Sequence, residues 1–534
     1  MRASLATGMC GFAVGAVVHL VVFAPSDAAA QNTAPLSVID WLDTPAPLAQ
    51  LPRAPTRKPP VPDRDEPAVA QSGTAPQIIT RPLDATVPLD VGLVPAAVTG
   101  MQADLWAGSD VADLTVQLAD LPDLDLPAAN ALLFTLLLAE ASAPGGGSDA
   151  QDRLTRARVE KLMELGAVDP AMALVEQAGA SRSAMLFDLW MDLSLLVGTE
   201  DAACGVLSRA PYLTQNTATR IFCAARRGDW DTAALTFGSA SALSLVPRET
   251  LDTLDRFLNP DLFEDAAPLP VPRRMDPLTF RLFETIGEAL PTGPLPRAYA
   301  VADLRDIAGW KSQLEAAERL TRAGALPDNR LLGLYTDRQP AASGGIWDRV
   351  RAVQRFDVAL ATGSSDAVAK TLPAAWREMR SAELEVGFAS VFHTRLAAVT
   401  LTGSALQIQT TIGLLSPEYE AVAAQLPGQV SLGNNTPLLR GVATGDATGP
   451  APEEALPRAI YDAFSAPVPQ ADWVAMAQNG RLGEALLATL GALREGARGD
   501  SRALREALGT LRALGLEDTA RRAALQILLL ERQA

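Results

Sequence analysis

The sequence predicts an all-α protein, built as an α-solenoid of helical hairpins that follows a disordered, proline-rich N-terminal linker. Apolar residues make up 48% of the chain but aromatic residues only 5%, which favours helices over β-sandwiches and barrels. Successive apolar segments with helical spacing end at glycines, as helix C-termini often do. Several of these segments also share one pattern of glycine and small residues.

The N-terminus has the layout of a secretory signal peptide over residues 1–30. An apolar run covers residues 5–24, and Ala28 and Ala30 stand at the −3 and −1 positions of a cleavage site before Gln31. Cleavage there predicts an exported, periplasmic protein. An uncleaved anchor is the alternative, because about 20 apolar residues can just span a bilayer. Membrane contact is expected only in that case.

Residues 31–100 are predicted to form a mobile linker. They contain 13 prolines, which cannot propagate a helix or pair in a central strand. Two apolar islands, residues 35–43 and 91–106, interrupt this composition, and the second leads into the first folded helix. The tryptophan of the first island is expected either to dock on a partner or to pack on the body of the protein. The candidate docking residues are Leu36, Ile39, Trp41 and Leu42.

The rest of the chain is predicted to form two helical-hairpin domains, 101–268 and 269–534. Prolines concentrated in residues 247–277 suggest the boundary between them. Glycine and proline are also frequent in residues 427–457, which predicts a flexible loop there.

Four stretches share a glycine followed by small or apolar residues at fixed offsets. They comprise Gly166 with Ala171; Gly228 with Trp230, Ala233 and Phe237; Gly480 with Ala485; and Gly515 with Ala520. The last two glycines are 35 residues apart, close to one tetratricopeptide repeat. The pattern resembles the turn and second helix of such repeats, where glycine opens the turn and alanines let neighbouring helices approach. The resemblance implies a degenerate tetratricopeptide-like α-solenoid.

The whole chain is similar to uncharacterised secreted proteins of marine alphaproteobacteria. The stretches "PLSVIDWLD", "FCAARRGDWDTAALTF" and "NRLLGLYTDRQPAASGGIWDRV" carry this resemblance. Some of these relatives are labelled antifreeze glycopeptides, which use tandem Ala-Ala-Thr units. This chain has only scattered "ATVP" and "AAVTG". The resemblance therefore supplies no mechanism.

Two cysteines, Cys204 and Cys223, remain after removal of the signal peptide. In an oxidising periplasm such a pair is expected to form a disulfide. The separation of 19 residues suits two antiparallel helices joined by the turn at 210–217. Closing such a loop stabilises a protein by about 3 kcal/mol in the chain-entropy model. Two buried thiols are the alternative.

The composition argues against nucleic-acid binding and against a metal or cofactor site. The formal charge is −17 and no basic stripe is present. His393 is the single histidine of the mature chain, whereas a histidine-based zinc site needs several ligands. Its neighbours Phe392 and Leu396 indicate a core or groove position. No phosphate-binding or nucleophile motif stands between a strand and a helix, so no catalytic residue is assigned.

The most distinctive local motif is "AASGGIWDRV" at 341–350. Ser343, Gly344 and Gly345 could form an anion-binding nest at a helix N-terminus. The alternative is an ordinary helix start, with Ser343 as the cap and Trp347 packed in the core.

These observations favour an exported, non-enzymatic helical-repeat scaffold that binds an unknown envelope protein or peptide. A periplasmic glycan-binding or peptidoglycan-acting protein is the first alternative, since the architecture also resembles the superhelical part of lytic transglycosylases. Surface carboxylates beside Trp310, Trp347 or Trp376 in one cleft would favour it. An inner-membrane-tethered assembly or motility accessory protein is the second alternative, with residues 1–24 as the tether.

Overall fold

The computed structural model of the chain describes residues 90–305, 307–426 and 430–530. Within these ranges it contains 25 α-helices, four short 3-10 helices and no strand, which confirms the all-α prediction. No helix in these ranges has the length and apolar character needed to cross a membrane. The predicted signal peptide and the docking residues Leu36, Ile39, Trp41 and Leu42 lie outside the described residues.

The first half of the described chain contains twelve of these helices. They are α1 (Ala96–Thr99), α2 (Val111–Asp120), α3 (Pro127–Leu138), α4 (Ser148–Leu165), α5 (Val168–Ala178), α6 (Ala184–Val197), α7 (Glu200–Arg209), α8 (Thr217–Arg226), α9 (Trp230–Ala242), α10 (Arg248–Leu258), α11 (Pro277–Thr285) and α12 (Ala300–Asp303).

The second half of the described chain contains the other thirteen. They are α13 (Trp310–Arg322), α14 (Asp328–Asp337), α15 (Ile346–Thr362), α16 (Ser365–Arg380), α17 (Glu385–Ala397), α18 (Gly403–Leu415), α19 (Tyr419–Ala424), α20 (Thr436–Thr444), α21 (Ala455–Ser465), α22 (Ala471–Gln478), α23 (Leu482–Ala497), α24 (Ser501–Ala513) and α25 (Glu517–Leu529).

The four predicted hairpin turns share one geometry. Each glycine has a positive φ, between 75° and 85°, and a helix begins two residues later. The alanine five residues after each glycine is fully buried, so the helix that follows lies close to its neighbours. These residues are Gly166 and Ala171, Gly228 and Ala233, Gly480 and Ala485, and Gly515 and Ala520.

Two aromatic residues of the hairpin that begins at Gly228 are less buried than predicted. Phe237 on α9 is half-buried, and Trp230 remains 52% exposed. Only Ala233 and Ala240 of α9 are fully buried, and they lie seven residues apart on one face of the helix. Trp230 is the first residue of α9, three positions before Ala233, and the start of the helix leaves its ring half exposed.

Helices near the two ends of the described chain pack against each other. Helices α2 and α3 contact α23, and α3 also contacts α25. The Gly483 backbone N–H donates to the Leu105 carbonyl at 2.9 Å, and the Ala128 N–H donates to Oε1 of Gln526 at 2.8 Å. In an open solenoid each repeat contacts only its neighbours. Here helices from the two ends of the described chain contact each other, and this closure departs from the open arrangement.

One hydrophobic cluster draws on both segments that were predicted as separate domains. It joins residues from 91–196 to residues from 414–525, while two further clusters lie mostly within 187–282 and 300–415. The predicted boundary between residues 268 and 269 therefore does not separate two independent cores.

The ordered body begins before the predicted end of the linker at residue 100. Val91 is fully buried, and its backbone exchanges hydrogen bonds with Ala141. The guanidinium of Arg158 also donates to the Val91 carbonyl at 2.7 Å. Residues 90–100 therefore belong to the folded body, which corrects the linker prediction.

The prediction of a flexible loop at 427–457 is wrong over α20. Leu438, Leu439 and Val442 of this helix are buried in the core. Pro437 lies in the first turn of α20, where its missing N–H is tolerated. Gly445 ends the helix with a φ of 89°. Glycine and proline here mark the two ends of a helix, whereas the prediction took them as signs of a loop.

The predicted disulfide between Cys204 and Cys223 is confirmed. It joins α7 to α8, with a Cα–Cα distance of 5.0 Å and both cysteines buried. Because α9 packs on α8, this bond fixes the base on which α9 rests.

Candidate functional site

A cleft of about 1400 Å³ lies where the two ends of the described chain meet the middle helices. Residues 124–126 and α23 contribute one side of the lining, and the C-terminal part of α16 contributes another. Helices α18 and α25 complete it. The cleft therefore depends on the closure of the fold.

Four arginines line this cleft, in two pairs that come from helix C-termini. Arg377 and Arg380 occupy the last turn of α16, whereas Arg494 and Arg498 occupy the end of α23 and its C-cap. Cations at helix C-termini are favourable because the helix dipole is negative there. Spacings of three and four residues place each pair on one helix side, so both pairs reach the same cleft.

Two acidic residues of the cleft have a strained backbone. Asp125 and Glu383 have φ values of 53° and 57°. In the described residues only one other non-glycine residue, Ser244, has a positive φ. Such conformations cost on the order of 1–3 kcal/mol and cluster at functional sites. Oδ2 of Asp125 accepts a hydrogen bond from Nη2 of Arg498 at 2.8 Å.

The charge balance of the cleft is opposite to that of the whole protein. The chain carries 62 acidic and 45 basic residues. The cleft lining holds the four arginines against three carboxylates, those of Asp125, Glu383 and Glu385. The lining is therefore richer in arginine than the chain as a whole. Arg377, Arg494 and Arg498 also pair with Glu378, Glu495 and Asp125, so the cleft presents mixed charges.

Apolar side chains lie between the charged groups. Ile408 of α18 and Leu432 line the cleft and are partly exposed. Leu528 and Leu529 at the end of α25 do the same. A cleft with both arginines and exposed aliphatic carbons suits a ligand with alternating charged and apolar groups, such as a peptide segment.

A buried ion pair supports the α16 side of the cleft. Arg349 and Glu318 form two parallel hydrogen bonds, of 2.7 Å and 2.8 Å, and the Tyr335 hydroxyl donates to the same carboxylate at 2.6 Å. Nη1 of Arg349 also donates to the Ser381 hydroxyl, which lines the cleft, at 3.4 Å. Bidentate pairs of this kind fix geometry as well as charge.

Among the sequence-predicted candidates, Trp376 lines the cleft, whereas His393 and Ser343 do not. His393 is buried, and burial lowers the pKa of its imidazole. Its Nδ1 has no hydrogen-bond partner among the described residues, consistent with a core position. In the described chain, no group of three or more histidine, cysteine or acidic side chains is arranged to hold a metal ion.

The "AASGGIWDRV" motif forms the start of α15. Gly345, with a φ of 53°, is the N-cap, and Ser343 does not cap the helix. Trp347 packs against Trp310 with ring centroids 5.2 Å apart. The predicted cap was wrong because the left-handed glycine takes the cap position itself.

Sequence reasoning missed the four arginines of the cleft. Each pair could have been recognised from the sequence, because basic residues three or four positions apart near a predicted helix end lie on one side of the helix. What the sequence did not reveal is that two such ends, more than a hundred residues apart, face one cleft.

Three neighbouring acidic side chains outside the cleft predict that the stability of the protein depends on pH. Burial, together with the nearby carboxylates of Asp276 and Asp188, raises the pKa of Asp192 on α6 to about 7. The folded protein then holds a proton that the unfolded chain has already lost, so the free energy of unfolding falls as the pH rises from about 4 through 7.

Asp192→Asn removes this cost at neutral pH. Relative to wild type, its free energy of unfolding is expected to rise by about 2–3 kcal/mol between about pH 5 and pH 8. Urea denaturation at both pH values measures the difference. Asp149→Asn, at an exposed position of α4, is the control. An equal effect of Asp192→Asn at both pH values would contradict the assignment.

Comparisons of this chain with protein-family models, with curated proteins and with solved structures find no match.

Proposed function

We propose that this protein is an exported, non-enzymatic scaffold of helical hairpins that binds an extended segment of another cell-envelope protein in the arginine-lined cleft. The gathering of four arginines in one cleft of a chain of net charge −17 carries this proposal. The bound segment would place acidic side chains on the arginines and apolar side chains on the partly exposed leucines.

The compartment in this proposal is the periplasm. The Cys204–Cys223 bond supports it, because disulfides persist in oxidising compartments. The signal-peptide layout of residues 1–30 supports it from the sequence. Mass spectrometry of the mature N-terminus tests this part, since a chain that starts at Gln31 has lost any tether in residues 1–24.

Reversing two exposed arginines of the cleft tests the binding function. Arg377 and Arg498 are 73% and 52% exposed, so Arg377→Glu with Arg498→Glu leaves the core unchanged. After crosslinking in cells and affinity purification, the double variant is expected to recover its main envelope partner roughly tenfold less than wild type. Quantitative mass spectrometry of the recovered proteins measures this loss.

A matched control uses two arginines away from the cleft. Arg458 and Arg502 are exposed and pair with acids four residues further along their own helices. Arg458→Glu with Arg502→Glu changes the net charge equally and is expected to leave recovery unchanged. Equal losses in both double variants would mean that overall charge, and not the cleft, governs binding.

Glycan binding is the second candidate function. Trp376 lines the same cleft as Glu383 and Glu385, which is the arrangement that favours this alternative. Trp376 is nevertheless 7% exposed and packs on Phe388, so little of its ring is available for stacking on a sugar. Titration of the purified protein with peptidoglycan fragments tests it, and binding that Glu383→Gln abolishes would favour this function over the scaffold.

A further inference from the structure

Alternating prolines keep the segment between α10 and α11 extended. Residues 267–272 read Ala-Pro-Leu-Pro-Val-Pro. Each proline fixes its own φ, and each residue before a proline is kept out of the helical region. The structure accordingly has no helix over residues 264–276. Pro270 and Val271 are exposed, Val271 to 60%, so this extended backbone lies on the surface.

An ion pair holds the first part of this segment on the body. Arg256 of α10 pairs with Glu288, which follows α11. Nη2 of Arg256 donates to the Ala267 carbonyl at 2.6 Å, and Oε2 of Glu288 accepts from the Leu269 backbone N–H at 2.7 Å. Both backbone contacts involve charged groups, which make the stronger hydrogen bonds. The segment is therefore fixed up to Leu269.

A second contact fixes the other end and leaves a short free stretch between. The Tyr299 hydroxyl donates to the Met275 carbonyl at 2.8 Å. Among the described residues, no backbone N–H or C=O group of residues 270–274 forms a hydrogen bond within the chain. These five residues therefore present an extended backbone whose polar groups are available to an external molecule.

The two arginines of the free stretch have no partner within the described residues. Arg273 and Arg274 are both exposed, and neither forms an ion pair or a side-chain hydrogen bond there. The other arginines outside the α-helices of the described chain each pair with an acid or a hydroxyl, as Arg182, Arg338 and Arg498 do. The guanidinium groups of Arg273 and Arg274 are thus the ones left for a carboxylate from outside.

This combination is what a trypsin-class serine protease requires of a substrate. Such an enzyme holds the arginine before the cleaved bond in an acidic pocket and attacks an accessible peptide bond. Exposed loops are the preferred places of cleavage, whereas bonds within a helix become accessible only when the helix opens. Arg274 and Met275 follow the two arginines, so neither bond precedes a proline.

We propose that this segment is a processing site, at which an arginine-specific serine protease of the cell envelope cuts the exported chain after Arg273 or Arg274. The step is a hydrolysis of one peptide bond. Water supplies the hydroxyl of the new arginine carboxyl group and a proton to the new amine of the residue that follows. The product is a protein of two chains.

The closure of the fold holds the two chains together after the cut. Helices α2 and α3 of the first chain contact α23 of the second. Glu200 and Arg281, which lie on opposite sides of the cut, form a buried ion pair at 3.0 Å. Cys204 and Cys223 both belong to the first chain, so their bond does not join the two. The cut therefore changes the connectivity of the body without dividing it.

Limited digestion of the purified full-length chain with trypsin tests the accessibility of the site. Within residues 90–530, the first cut is expected after Arg273 or Arg274, at least about a hundredfold faster than after an arginine in a helix. Mass spectrometry identifies the new N-terminus, which cuts before residue 90 leave unchanged. The nicked protein should elute as one particle in gel filtration and separate into two chains only in denaturant.

Arg273→Gln with Arg274→Gln removes the residues that the protease recognises and leaves the core unchanged, because both side chains are exposed. This double variant is expected to stay uncut at the segment. Arg338→Gln with Arg502→Gln replaces two other exposed arginines and should be cut as wild type. A wild-type chain that resists trypsin at residues 270–274, through cover by residues 1–89 or by any other contact, would overturn the proposal.

The chain recovered from the envelope shows whether the site is used. Protein purified from the cells that produce it is expected to contain a second chain that begins at Arg274 or Met275, whereas the double glutamine variant should remain a single chain. A wild-type chain that is intact in cells would overturn the proposal even if trypsin cuts it in vitro. Arg377→Glu with Arg498→Glu should be processed as wild type, so this proposal and the cleft proposal fail independently.

Discussion

Replacing Gly483 with alanine is expected to destabilise the protein by about 3 kcal/mol or more. The new methyl group would lie 2.2 Å from the buried ring of Trp106, which comes from the other end of the described chain. The backbone cannot easily give way, because the Gly483 N–H already donates to the Leu105 carbonyl at 2.9 Å. Chemical denaturation of the purified variant measures the loss.

Gly491 of the same helix provides a matched control. A Cβ there would meet nothing within 4 Å, so Gly491→Ala is expected to stabilise α23 by roughly 0.5–1 kcal/mol through helix propensity. If Gly483→Ala lowers the free energy of unfolding and Gly491→Ala raises it, the loss comes from the contact with Trp106. Adding Trp106→Leu to Gly483→Ala should recover part of the loss, since it removes the ring that clashes. A Gly483→Ala variant as stable as wild type would contradict the closure.

Replacing Arg158 with methionine is expected to cost about 3–5 kcal/mol. The fully buried guanidinium donates to the carbonyls of Leu137, Val91 and Ala139, each at 2.7 Å. Burial lowers the pKa of Arg158 to about 10, so the side chain remains charged at neutral pH. Methionine fills similar space but leaves three buried carbonyls without these donors.

A substitution of Arg156 on the same helix is the control, because it removes a positive charge without removing buried hydrogen bonds. Its side chain is half exposed and pairs with Glu160, so Arg156→Met should cost less than about 1 kcal/mol. Hydrogen exchange should also show that Arg158→Met releases residues 137–141 and the segment near Val91 before the rest of the body. Equal stability of the two variants would show that the three hydrogen bonds do not hold these segments.

Local elements of this fold follow from the sequence, because their causes lie within a few neighbouring residues. The turn at Gly228 needs a left-handed backbone, which glycine adopts at little cost, and Ala233 then lies close to the neighbouring helix. The disulfide was expected because only two cysteines remain after the signal peptide, and their separation of 19 residues suits two antiparallel helices. Glycine and proline near α20 misled the prediction, because these residues are frequent in loops and also at the two ends of a helix.

The closure of the fold and the cleft depend on contacts distant in sequence. One sign of closure lies in α3, whose residues "PAANALLFTLLL" are apolar on nearly every side. A helix of this kind is typically surrounded by other helices. Its partners, α23 and α25, lie more than 300 residues away, and nothing local to α3 identifies them. The meeting of the Arg377 and Arg498 helix ends is unpredictable for the same reason.

Site-specific photo-crosslinking in living cells tests the central claim, that the cleft holds a segment of a partner protein. A photoreactive amino acid at Ser404, which lines the cleft and is exposed, should yield one discrete adduct with an envelope protein. The same amino acid at Ser365, at the far end of α16 about 20 Å away along the helix, should yield none. Arg377→Glu with Arg498→Glu should abolish the Ser404 adduct. No adduct at Ser404, or the same adduct at both positions, would contradict the claim.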